Sequence, residues 1–153
     1  MDRLNLPTYS LNVKSEAGRN YIFDPVRKKY VVLSPEEWVR QNFIQYLVQD
    51  KSFPLSLITV EQEFLFNRMK KRTDILVYDS SGNPITMVEC KAPAVKIDRS
   101  VFEQIGLYNL NYQLPWLMVS NGLQHYCCRM ERDNKYEFVD EIPKWADLNS
   151  QPS

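Results

Sequence analysis

At 153 residues, with 44% apolar and 25% charged positions, the chain supports a single α/β domain with a real core. Its 19 lysines and arginines balance 19 acids, so no overall basic charge drives nucleic-acid affinity, and no run approaches the roughly 20 apolar residues of a membrane span. Three cysteines, two of them adjacent (Cys127 and Cys128), offer neither a disulfide framework nor a zinc spacing, and no secretory signal opens the chain, so the expected setting is a reducing cytoplasm.

In chain order, residues 1–19 carry little pattern and are expected to be peripheral. Tyr21 to Leu33 predicts one or two short strands around Asp24-Pro25. Pro35 to Asp50 predicts a helix, with Ser34 as N-cap, Pro35 at the first helical position and Glu37 placed for a capping box. Glu36 falls on the arc of Val39, Phe43 and Leu47, the face expected to pack on a sheet. Leu57 to Phe66 predicts a strand. Arg27-Lys28-Lys29 and Arg68-Met69-Lys70-Lys71-Arg72 are local basic runs, each expected to be a solvated loop, although the second leads into Asp74 and could wall a groove.

Thr73 to Tyr78 and Ile85 to Lys91 then predict two strands around the turn signal Asp79-Ser80-Ser81-Gly82-Asn83-Pro84. A turn centred between Ser81 and Gly82 sets Asp74 opposite Glu89, at a cross-strand Cβ separation of roughly 5 Å. Met87, Glu89 and Lys91 share a face. Ile75-Leu76-Val77 and Met87-Val88 do not alternate, which predicts cover on both faces, where two adjacent acids are tolerated only with a cation or proton between them. A hard cation such as Mg²⁺, held by carboxylates, waters and phosphate oxygens, suits that pair. The competing reading is a solvated surface pair with Lys91 as an ordinary surface charge.

Downstream, Asp98 to Leu110 predicts a helix carrying Gln104 and Tyr108 one turn apart. Trp116 to Ser120, Gln124 to Met130 and Tyr136 to Val139 predict strands, with a turn at Asn121-Gly122. The tail beyond Pro143 is expected to fray. The single histidine, His125, is expected to be structural, and Trp38, Trp116 and Tyr112 to be core residues rather than base-stacking platforms.

Asp74 followed by Glu89-x-Lys91 resembles the PD-(D/E)xK nuclease motif of the restriction-endonuclease-like fold, with Thr73 where the motif has proline. Asp24-Pro25-Val26-Arg27-Lys28-Lys29-Tyr30, Ser34-Pro35-Glu36-Glu37-Trp38, Val88-Glu89-Cys90-Lys91-Ala92-Pro93 and Ser120-Asn121-Gly122 resemble the N-terminal nuclease domain of type I restriction enzyme R subunits. The resemblance implies a central mixed β-sheet flanked by helices and Mg²⁺-dependent cleavage of DNA, with Mn²⁺ as a possible substitute. It further implies Asp74, Glu89 and the Cys90 backbone carbonyl as metal ligands, Lys91 beside the attacking water, and a glutamate from the preceding helix, Glu36 or Glu37, joining them. Glu37 already has a capping role, which favours Glu36. Gln104-x-x-x-Tyr108 resembles an accessory motif that lines the active-site groove of such nucleases. Without a Gly-x-x-x-x-Gly-Lys loop, motor and methylation functions are expected from other restriction subunits. Two rival readings remain: a stand-alone repair or mobile-element nuclease, and a non-catalytic DNA-binding or assembly module of the same fold.

Overall fold

The computed structural model describes residues 1–131 and 135–148. Two sheets organise it. A small antiparallel sheet consists of β1 (Val13–Glu16), β2 (Arg19–Asp24) and β3 (Lys29–Val32) in that spatial order. The main sheet has six strands in sequence order: β4 (Ile58–Phe66), β5 (Met69–Tyr78), β6 (Pro84–Cys90), β7 (Trp116–Ser120), β8 (His125–Met130) and β9 (Tyr136–Val139). Among the described residues only β6 and β7 run parallel. Parallel neighbours need a crossover, supplied here by helix α2 (Arg99–Tyr112).

Both faces of the sheet are covered, as the lack of alternation predicts. Ile75, Val77, Val88, Cys90 and Met118 pack with Val39, Phe43 and Ile44 of α1 (Pro35–Gln45) and with Leu47 just beyond it. On the other face, Leu76, Met87, Leu117 and Val119 pack with Val101 and Ile105 of α2. Ser34 caps α1 by accepting from the Glu37 N–H at 3.0 Å, and Asp98 caps α2 by accepting from the Ser100 N–H. Past Gln45 the helix widens into a π-turn over Tyr46–Asp50 rather than continuing as α-helix.

Both termini depart from expectation. Leu4 and Leu6 pack against the core, the Asn5 N–H donates to the Gly122 carbonyl at 2.8 Å, and β1 pairs with β2. After Pro143, α3 (Trp145–Leu148) is ordered rather than frayed: it buries Leu148 and sets the Trp145 ring 5.3 Å from Phe53, while the rest of the tail expected to fray, 149–153, lies outside the described residues. Neither segment is periodic. A few anchoring side chains and backbone bonds to distant loops hold each one, and no local pattern reports that.

His125 is structural, as expected. Its Nε2 lies 2.8 Å from the Asn5 carbonyl, which can only accept, so Nε2 carries the proton and Nδ1 accepts from the Ser120 hydroxyl at 2.7 Å. Burial lowers its pKa, in keeping with the neutral ring. Trp116 is buried, whereas Trp38 is half-buried and donates from its indole to the Asp2 carbonyl. Among the described residues no helix is long and apolar enough to cross a membrane.

Candidate active site

The hairpin register runs Ile75 opposite Val88, Leu76 opposite Met87 and Val77 opposite Thr86. One step further, Asp74 and Glu89 face each other at the root of the hairpin. Both side chains are half-buried, and they lie close enough to share a proton. Asp74 Oδ2 accepts from the Cys90 backbone N–H at 2.7 Å, and Lys91 Nζ lies 3.4 Å from Glu89 Oε1. Lys91 is itself fixed by its own N–H, which donates to the Ser120 carbonyl at 2.9 Å on β7.

The electrostatics follow from that packing. Burial raises Asp74 to about 6; the Cys90 N–H and Arg40 oppose the shift, and Glu36 adds to it. Burial, then the neighbouring Asp74, raises Glu89 to about 8, with Lys91 pulling the other way. The pair therefore retains a proton under conditions where isolated carboxylates hold none. The Cys90 thiol is pushed far up by burial and is chemically quiet; the residue contributes through its backbone.

The two helix glutamates occupy different environments. Glu37 is buried and held by Arg27 at 2.8 Å, Arg40 at 2.9 Å and the Gln41 amide at 3.1 Å. Its carboxylate is thus committed to an ion cluster, not to a reciprocal capping bond. Glu36 is exposed rather than turned into the sheet, whereas its neighbour Glu37 is buried, yet the charge of Glu36 is felt at Asp74. Among the described residues no three His, Cys, Asp or Glu side chains gather into a metal cluster, so Glu36 does not complete a triad with Asp74 and Glu89 in this geometry. Two carboxylates still fit a Mg²⁺ ion, which commonly takes one or two protein carboxylates and fills its octahedron with waters and phosphate oxygens.

Gln104 and Tyr108 lie on α2, which covers the sheet face bearing Met87. The Gln104 amide donates to the Tyr108 hydroxyl at 2.8 Å, and the Tyr108 ring packs edge-on against Phe64 and Phe66. Among the described residues neither forms a hydrogen bond with Asp74, Glu89 or Lys91. Tyr112, half-buried, joins the same cluster through Phe64.

Two positioning residues escaped the motif reading. Arg40 reaches the Asp74 carbonyl at 3.4 Å while bound to Glu37; the Glu37-x-x-Arg40 spacing on α1 was the available signal. Asn121 donates to the Val95 carbonyl at 2.9 Å and accepts from the Leu123 and Gln124 N–H groups, tying the loop after Lys91 to the turn after β7. A hollow of about 880 Å³ between α2 and β9 contains none of these groups.

A six-stranded mixed sheet with a parallel step and helices on both faces make a restriction-endonuclease-like α/β fold. The chain belongs to the family described as the type I restriction enzyme R protein N terminus, whose model matches residues 35–143. A fragment structure described as an HsdR subunit of a type I restriction enzyme from Vibrio vulnificus shares the fold, with a TM-score of 0.55 at 18% identity over 76% of this chain. This chain spans 24% of that one. A search of the curated proteins finds no match.

Proposed function

We propose that the chain is a Mg²⁺-dependent DNA endonuclease module of a type I restriction system, with Asp74 and Glu89 as metal ligands and Lys91 beside the attacking water. One observation carries the reading: two half-buried carboxyl groups face each other on neighbouring strands, an arrangement that favours one retained proton, with an ammonium 3.4 Å from one of them. A divalent cation is the natural replacement for that proton. When bound, Mg²⁺, or Mn²⁺ in its place, supplies a more acidic water and offsets charge building on a phosphodiester. Asp74 contributes a carboxylate whose orientation the Cys90 N–H fixes. Lys91 orients the water and offsets the acids' charge. The Cys90 carbonyl and Glu36 are further oxygen donors at the rim, and Gln104 with Tyr108 lines the approach of the DNA.

Motor, methylation and specificity chains are the partners this assignment calls for, since the Vibrio relative is an R-subunit fragment of which this chain spans about a quarter. Incubation with plasmid and linear DNA, with Mg²⁺, Mn²⁺ or chelator, beside Glu89→Gln and Lys91→Ala, tests the reading. Metal-dependent cutting lost in both variants is expected. Cutting that survives chelation or persists in both variants overturns it.

A further inference from the structure

The second basic run is not a loop. Met69 to Arg72 form the outer half of β5, paired with Glu63 to Phe66 of β4, and the ribbon turns at Asn67 and Arg68, both in left-handed backbone conformation. The pairing skips the Glu61 and Asp74 position, where Glu61 also adopts a positive φ. Beyond that irregularity Phe64 and Phe66 stand against Tyr108 of α2, which braces the arm. Its remaining surface is open: Leu65 is 65% exposed, Met69 58%, and Arg68, Lys70 and Arg72 are all exposed.

Charge on this arm is lopsided in a chain that is neutral overall. Arg72 pairs with Glu63 at 3.4 Å, but among the described residues Arg68, Lys70 and Lys71 have no carboxylate partner. Arg27, by contrast, is consumed by Asp24, Glu37 and Glu61. Lys71 stands opposite Phe64 and Lys70 opposite Leu65, so cations emerge on both sides of the ribbon. At roughly 3.3 Å per residue, the arm carries these charges about 10 to 20 Å from Asp74. A two-stranded ribbon of that kind fits a duplex groove and its flanking phosphates.

We propose that the β4–β5 arm grips the backbone of duplex DNA, with Arg68, Lys70 and Lys71 on phosphates up to about six nucleotides from the one held at Asp74 and Glu89. The proposal rests on the nuclease reading for the nature of the ligand. It makes the arm, not the overall charge, the source of affinity.

The test measures binding of a labelled duplex to the full chain in chelator across a salt series, comparing Arg68→Ala/Lys70→Ala with Lys28→Ala/Lys29→Ala, which removes the same charge elsewhere. The arm variant is expected to bind roughly 10- to 100-fold more weakly at moderate salt, with a salt slope shallower by about 2. The control pair is expected to leave both unchanged. Equal losses in the two variants, or none in either, would overturn the proposal, as would an arm variant that loses only binding to polyglutamate, which would mark a protein-docking surface. Arm-dependent binding without metal-dependent cutting would sink the catalytic reading and leave the arm standing; cutting with arm-independent binding would do the reverse.

Discussion

The Cys90 backbone N–H donates to Asp74 Oδ2 at 2.7 Å, so the residue inside the Glu89-x-Lys91 triplet also orients the acid on the neighbouring strand. Asp74, Glu89 and Lys91 are thereby set by backbone geometry as much as by side-chain packing, and their effects can be separated by substitution.

Without divalent cation, the acidic pair makes stability depend on pH. Folding raises Asp74 to about 6 and Glu89 to about 8, whereas the unfolded chain loses these protons near the ordinary carboxylate range, about 4. Between those limits the folded state binds more protons, so stability falls as pH rises, and the loss is complete above about 8. The Tm in chelator is expected to drop from about pH 5 to about pH 8.5. Glu89→Gln should flatten that profile, and Mg²⁺ should raise Tm more at pH 8 than at pH 6. Differential scanning calorimetry reads all three, and a flat wild-type profile contradicts the shared-proton pair.

Glu37 and Glu36 should separate cleanly. Glu37→Ala removes the shared carboxylate from a buried cluster in which Arg27 keeps Asp24 and Glu61 and Arg40 keeps Glu61, and is expected to cost about 1.5–3 kcal/mol in urea unfolding, the usual loss for hydrogen bonds to a buried charged group. Glu36→Ala, at an exposed first-turn position, should cost less than about 1 kcal/mol. If Glu36 supplies an oxygen to the metal, its loss lowers metal-dependent cutting while leaving the unfolding curve in place.

Gly122→Ala should release the N-terminal segment. Gly122 has a φ of +85°, and a Cβ there would lie 2.6 Å from Leu4 Cδ2 and 3.2 Å from Val39 Cγ2. The backbone conformation alone costs an alanine about 1–2 kcal/mol, and the clash pushes Leu4 off the core. Limited proteolysis should cut the variant within its first residues faster than wild type; equal rates would show that Asn5, His125 and β1 hold the segment without that contact.

Much of the site could be read from short stretches of chain. The turn composition of Asp79 to Pro84 and the strand character on either side were enough to place Asp74 opposite Glu89, in the register the structure has. Trp116 to Ser120 and Tyr136 to Val139 were legible with the same bounds, and α2 within two residues of its ends. Glu36 was misplaced onto the buried face because helical spacing gives an angle around the axis but not which turns along it are covered. The basic run looked like a loop because charge density conceals strand pairing with β4.

What the sequence determined alone were properties that act over a few residues: side-chain alternation, helix caps, the hairpin turn and the order of acid, acid and lysine. Only the tertiary structure decided which charges are spent and which remain available. Arg27 and Arg40 are drawn into the buried Glu37 cluster while Arg68, Lys70 and Lys71 have no carboxylate partner among the described residues, and Asn5 meets His125 across 120 positions of chain. Those outcomes depend on burial and on partners supplied by distant elements, whose free energies no local pattern contains.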